Sequence, residues 1–293
     1  MNAPPTRRER LQRGVIILPS AFTLGNLFLG VWAIVAASRG QFEMAGWLIL
    51  LAGVADMLDG RVARFTSTGT DFGEELDSLV DAVSFGVAPA LIMFHLYFED
   101  VVGWGWTVCF LFVAGVIIRL ARFNVEQAGH AKVAFHGLPS PAAGITLATF
   151  YPFSQTTFFQ EYLGHLAWSQ LITGMMVVLA VLMVSHVLYP VVPRFELRTF
   201  AGIATFVAAL VAVGAAVVAP ALFFFPALVV YIAYGLGRSA VLGFLDRLPE
   251  RDPLIDEEED AKEREQMREV EYAEFDRGGR RPSRNPETME DTR

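Results

Sequence analysis

The chain has 293 residues, 54% of them hydrophobic, with 24 Phe and 25 Gly. That is too apolar for an ordinary soluble domain and suits a protein that crosses a membrane several times. The formal charge of −8 is unevenly placed: residues 244–293 carry 17 acidic and 10 basic side chains, whereas the preceding 243 carry 14 and 13. The lone cysteine, Cys109, excludes an internal disulfide and a cysteine metal site, and no nucleic-acid partner is expected.

The N-terminus, "MNAPPTRRERLQRG", is basic, and the apolar run after it is longer than a secretory signal core and is interrupted by Pro19 and Asn26. It reads as a first membrane helix. Hydropathy predicts eight spans, at about 17–37, 44–64, 77–97, 103–123, 139–158, 167–189, 199–219 and 221–241, each near the length a bilayer requires. Arg and Lys gather at every second connection: Arg7, Arg8, Arg10 and Arg13, then Arg61 and Arg64, then Arg119, Arg122 and Lys132, then Arg194 and Arg198, then Arg238. The opposite connections hold Arg39 as their only cation. This asymmetry predicts both termini on the cytoplasmic side. Three parts are expected: a basic cytoplasmic N-terminus at 1–16, a transmembrane catalytic domain at 17–243, and a charged tail at 244–293. The tail reads as largely disordered, with a short helix around 256–275.

The stretch "DMLDGRVARFTSTGTDFGEELDSLVD", residues 56–81, interrupts the apolar pattern. Ionised groups at membrane depth are costly and usually face a polar cavity with partners. Asp56 and Asp59 are three apart, Asp77 and Asp81 four apart, so each pair shares a helix face. The polar segment between them predicts a hairpin that lets the two faces meet. Four converging carboxylates repel one another unless cations lie between them. Oxygen-only ligands favour Mg²⁺ or Mn²⁺ over zinc, and four carboxylates suit two ions. Gly60, Ala63 and Gly73 supply small positions that permit close approach of a helix or a ligand. A metal-dependent phosphate-transfer site fits best; a solvated helix mouth or the ion pathway of a divalent-cation transporter are the competing readings. Glu74 and Glu75 read as a solvated helix start.

The pattern Asp56-x2-Asp59-Gly60-x2-Ala63-Arg64-x8-Gly73-x3-Asp77-x3-Asp81 resembles, in every defined position and gap, the signature of the CDP-alcohol phosphotransferases. The resemblance implies an all-α polytopic bundle, a homodimer, and four aspartates that bind two divalent ions, with Asp81 also the general base. It implies that Gly60, Ala63 and Gly73 make room for the CDP moiety and that Asp59 and Arg64 lie close to it. "LPSAFTLGN" is similar to the family's first-helix pattern, which brings Pro19, Thr23 and Asn26 near the donor.

"RLARFN" at residues 119–124, followed by "FHGLPSPAAG" at 135–144, resembles the phosphatidylserine synthase branch of that family. The substrates so implied are CDP-diacylglycerol and L-serine, at an inner (plasma) membrane with the active site facing the cytoplasm. Two arginines one helical turn apart can also orient a helix or snorkel to headgroups. As paired hydrogen-bond donors, Arg119 and Arg122, with Asn124, are the candidates for recognising serine. His136 reads as structural, Pro139 and Pro141 as shaping the entry to span five, and Ser140 as a polar contact there. The alternatives are other acceptors within the family (glycerol phosphate, inositol or choline type), a membrane prenyltransferase, and the transporter.

Overall fold

The computed structural model describes residues 7–66, 71–99, 103–128, 137–185, 187 and 200–245. The expected tail helix at 256–275, His136, Lys132, Arg194 and Arg198 lie outside them. The described residues are helical, without strands, as the all-α expectation requires.

Helix α1 (Arg7–Ser38) leads into α2 (Phe42–Thr66) through a tight turn. Gly40 makes that turn possible at φ 74°, a conformation that side-chain-bearing residues rarely adopt. The turn is closed by the Gly40 N–H on the Ala37 carbonyl and the Gln41 N–H on the Ala36 carbonyl, both 2.9 Å. The two helices then pack along each other largely through small residues: Ala33, Ala36 and Ala37 from α1, and Ala45 and Ala52 from α2, are all buried, with the larger Ile49 beside them. Small side chains let helix backbones approach closely where lipid offers no competing hydrophobic drive.

A second long helical run follows, from α3 (Asp71–Asp81) through a wide π-type segment at Ala82–Val87 into α4 (Ala88–Met93), ending in another wide turn at Phe94–Phe98. Pro89 lies inside this run and has no N–H to give to the ladder. Just before it the register has widened, and the Ala88 N–H bonds the Val83 carbonyl, five residues back.

Helix α5 (Gly105–Ala128) packs on α7 (Trp168–Val184), where Gly115 faces the Ala180 backbone. Helix α6 (Ser140–Ser154) starts after Pro139, whose extended backbone (φ −58°, ψ 133°) breaks the helix upstream. It crosses α2 and the 82–93 segment, and Gly144 sits against the Phe85 backbone. The core is built at these crossings from Phe85, Ile92, Met93, Phe112, Leu147, Phe150, Ile172 and Met176, all fully buried. Cys109 is buried here too, its thiol 3.4 Å from the Ala90 carbonyl, consistent with a packing residue.

Helices α8 (Phe200–Val218) and α9 (Pro220–Leu245) follow, divided by Ala219. The Phe225 ring stacks on Phe153 at 5.1 Å and meets Phe150 edge-on at 5.3 Å, which anchors α9 to α6. Their other faces display Leu210, Val211, Val217, Val218 and Val230, all more than 60% exposed. In water that would be a liability; in lipid it is the expected surface. The chain divides into two units after Ser239, and of the second, residues 240–293, only the end of α9 is described.

Each of the eight apolar segments predicted from hydropathy overlaps a helix among the described residues, which does not by itself make each one a membrane span. Four stretches among the described residues have the length and apolarity to cross a membrane: Ala21–Ser38, Phe72–Phe98, Gly105–Val125 and Pro220–Ser239. Helix α2 carries Glu43, Asp56, Asp59 and Arg61 and is too charged for that criterion, whereas α6, with 15 residues, and α7, with 17, are too short.

Candidate active site

Helices α2 and α3 run into each other's neighbourhood from opposite sides of the 67–70 connection, and both are held against α1. Asp56 and Asp59 lie on one face of α2, Asp77 and Asp81 on one face of α3. Asp56, Asp59 and Asp77 each contribute one carboxylate oxygen to a group within 4.8 Å of one another. Asp81 is not one of these three. It is 7% exposed, and its neighbours in charge are Asp56, Asp77 and Asp59 on the repulsive side and Arg119 on the attractive side.

Helix α1 supports the acidic pair members directly. The Thr23 hydroxyl donates to Asp59 Oδ2 at 3.1 Å, and the Asn26 amide donates to Asp81 Oδ1 at 3.5 Å, a long bond. Asn26 is fully buried, and its own backbone carbonyl accepts from the Ser84 hydroxyl at 3.2 Å. That bond ties α1 to the wide turn immediately after Asp81. The close fit is enforced at Gly30, where a Cβ would collide with Ser84. Asp59 also accepts from the Gly60 backbone.

Among the described residues, two buried side-chain oxygens lack a hydrogen-bond partner, Asp77 Oδ1 and Asn26 Oδ1. Buried polar atoms are rarely left so in a complete structure. The three oxygens converging on one point, the unpartnered Asp77 oxygen and the absence of sulfur or imidazole from the set suit a hard divalent cation. Gly60 is bordered by open space, since a Cβ there would touch nothing within 4 Å. Gly73 is half-buried on α3. Pro19 lies on α1, and Ala63 and Arg64 on α2, at positions whose side chains are outside the described set.

The "RLARFN" segment falls on the last turns of α5, and its three polar residues part company. Arg119 is attracted electrostatically by Asp81 and Asp56, and its guanidinium carbon lies 6.0 Å from the Phe123 ring centroid. Its Nη1 donates to the Ser140 hydroxyl at 2.8 Å, while its Nε is buried without a partner. Arg122 turns elsewhere, and its Nη1 donates to the Val184 carbonyl at 2.9 Å, at the C-terminus of α7. A cation there satisfies an orphan carbonyl and complements the helix dipole. Asn124 accepts from Ser78 at 3.0 Å and donates to Glu75 at 3.3 Å, so it ties α5 to α3. Glu74 and Glu75 are exposed, as a solvated helix start should be.

Sequence reasoning passed over one contributor. Tyr231, on α9, is close enough to Arg119 to interact with its charge and packs against the core. A single tyrosine in an apolar helix, far along the chain from the acidic motif, carries no signal of this.

Comparison with known proteins places the arrangement. The chain is 41% identical over 174 residues, 59% of its length and 72% of the relative's, to a CDP-diacylglycerol–serine O-phosphatidyltransferase of Helicobacter pylori strain J99. It is 41% identical over 149 residues to the like-named protein of Mycobacterium tuberculosis strain H37Rv, covering 48% of this chain and 51% of that one. It is also 35% identical over 182 residues to an archaetidylserine synthase of Methanothermobacter thermautotrophicus, covering 60% and 70%. The family model described as CDP-alcohol phosphatidyltransferase matches residues 16–182, which takes in α1 through most of α7 and every carboxylate of the cluster. The chain belongs to the CDP-alcohol phosphatidyltransferase family.

Proposed function

We propose that this protein is an integral membrane transferase that moves a phosphatidyl group from CDP-diacylglycerol to L-serine, giving phosphatidylserine and CMP. The observation that carries this reading is the convergence of Asp56, Asp59 and Asp77 beside Asp81 and Arg119. The serine-transferring names of the relatives support the choice of acceptor.

Asp56, Asp59 and Asp77 would hold the divalent ions, with Asp81 contributing to that charge balance, and Mg²⁺ or Mn²⁺ suits their oxygen-only chemistry. Two such ions held there would supply positive charge to offset that of a pyrophosphate and of a departing CMP. The chain's own groups do the rest. Gly60, Ala63 and Gly73 leave room for the nucleotide, and Arg64 provides a cation for its phosphates. Thr23 orients Asp59, and Pro19 and Asn26 belong to the same α1 wall.

Asp81 is the general base. The serine hydroxyl oxygen attacks the lipid-linked phosphorus, the bond from that phosphorus to the CMP oxygen breaks, and the hydroxyl proton passes to the Asp81 carboxylate. The Asn26 amide holds that carboxylate in place. Arg119 recognises the serine carboxylate. Arg122 and Asn124, each committed to a protein partner, support the pocket wall. The catalytic domain spans 17–243 of a multi-pass inner-membrane protein, with its site and both termini facing the cytoplasm, and it works as a homodimer.

Purified protein supplied with CDP-diacylglycerol, labelled serine and Mg²⁺ or Mn²⁺ tests the proposal. Serine-dependent release of CMP in equal amount to labelled lipid is expected. Fast transfer to glycerol phosphate without serine would remove the acceptor assignment, and metal flux without CMP release would favour a transporter. Asp81→Asn is expected to abolish CMP release while CDP-diacylglycerol binding persists; turnover close to wild type would refute the role of base.

A further inference from the structure

Arg119, on α5, feels the charges of Asp81 and Asp56 at the acidic site, and its guanidinium is hydrogen-bonded to α6. The segment before α6 is pinned at two points: the Gly137 N–H bonds the Val187 carbonyl at 2.9 Å, and the Leu138 N–H bonds the Leu182 carbonyl at 3.1 Å. Gly137 adopts φ 85°, and a Cβ there would collide with the Met183 carbonyl. Position 137 therefore requires glycine twice over, once for conformation and once for space. Pro139 then sets the extended residue that opens the helix. The result is that Ser140, fully buried, has little freedom of place, and its hydroxyl accepts from Arg119 Nη1 at 2.8 Å.

An arginine on a four-bond stem sweeps a wide volume, and ordering it costs side-chain entropy of about 2 kcal/mol. Ser140 takes one Nη nitrogen, Phe123 lies under the guanidinium, and Nε is left buried with no partner. A buried N–H beside a reaction centre needs an acceptor, and the acceptor alcohol brings one in its carboxylate. A planar guanidinium grips a carboxylate well only when its plane is fixed.

We propose that Ser140 is a positioning residue for acceptor recognition: it fixes the Arg119 guanidinium so that the Nε edge meets the carboxylate of the incoming amino acid. This rests on serine being the acceptor, as proposed above. Ser140 touches no substrate atom. It acts through Arg119, so its loss falls on acceptor affinity and leaves the nucleotide-lipid side alone.

Full-length protein in detergent carries the test, with KM for serine and for CDP-diacylglycerol measured separately. Ser140→Ala removes the acceptor oxygen. Ser140→Cys nearly conserves its shape but offers sulfur, a weak acceptor, and so guards against a merely unfolded alanine variant. Both are expected to raise KM for serine about tenfold, the size of one charge-assisted hydrogen bond, with KM for CDP-diacylglycerol within about twofold. Ser140→Thr, which keeps the hydroxyl, is expected to stay closer to wild type than Ser140→Cys. An unchanged serine KM in folded Ser140→Cys overturns the inference, as does an equal rise in both KM values. Absence of serine-dependent CMP release from the wild type would instead overturn the function on which the inference rests.

Discussion

Asp56, Asp59 and Asp77 hold three carboxylate oxygens within 4.8 Å, with a fourth carboxylate, Asp81, in electrostatic contact. Such a set is self-repelling in the absence of cations, and the Arg119 charge offsets part of that repulsion at Asp56 and Asp81. Ions that bind the folded site and not the unfolded chain must therefore stabilise the fold by mass action. Adding Mg²⁺ or Mn²⁺ to metal-stripped protein is expected to raise its thermal unfolding temperature. Asp77→Asn should shrink that rise, because it weakens a ligand whose oxygen otherwise has no partner. A metal-induced shift of wild-type size in Asp77→Asn would count against Asp77 as a ligand. The sequence already indicated which acids belong together, through their spacing of three and four. It carried no hint that Arg122 would turn away to the α7 carboxyl end while Arg119, three residues earlier, would stay with the acids. Both lie on one helix face; which neighbour each meets depends on helices α6 and α7, which come later in the chain.

Among the helices, fit is set where backbones touch. Gly144 on α6 lies against the Phe85 backbone in the wide turn that follows Asp81, so this crossing helps hold the Asp81-bearing helix in register. A methyl group at 144 has no flexible neighbour to displace. Gly144→Ala is expected to destabilise the protein by about 1–3 kcal/mol through overpacking and to lower activity in step with misplacement of the 81–87 segment. Thermal unfolding in detergent checks the first effect; an unchanged midpoint would show that the crossing yields more easily than its contacts imply. Helix positions were legible beforehand, because apolar runs near 20 residues are a local property of the chain. The widened turn before Pro89 was not, since it reflects a lost N–H together with the Val116 side chain that packs against Gly86.

Taken as one molecule, the protein joins a family-matched portion at residues 16–182 to two further helices and a charged tail. Tyr231 lies beyond the match yet interacts with the Arg119 charge, so α9 contributes to the surroundings of that residue. Residues 246–293 carry 17 acidic and 10 basic side chains, a composition that supplies little apolar surface to bury. Deleting residues 246–293 is expected to leave serine-dependent CMP release within about twofold of the full chain; a larger loss would assign the tail a part in catalysis or folding. Composition, hydropathy and the spacing of the aspartates sufficed to identify a helical membrane protein, the family and the acidic residues, because each of these is written within one or two helical lengths of chain. Three features came from folding alone: the gathering of Asp56, Asp59 and Asp77 beside Asp81, the grip of Ser140 on Arg119, and the separation of Arg119 from Arg122. Each is a contact between side chains brought together from distant segments, and periodicity along one segment does not record which surface another will bring to it.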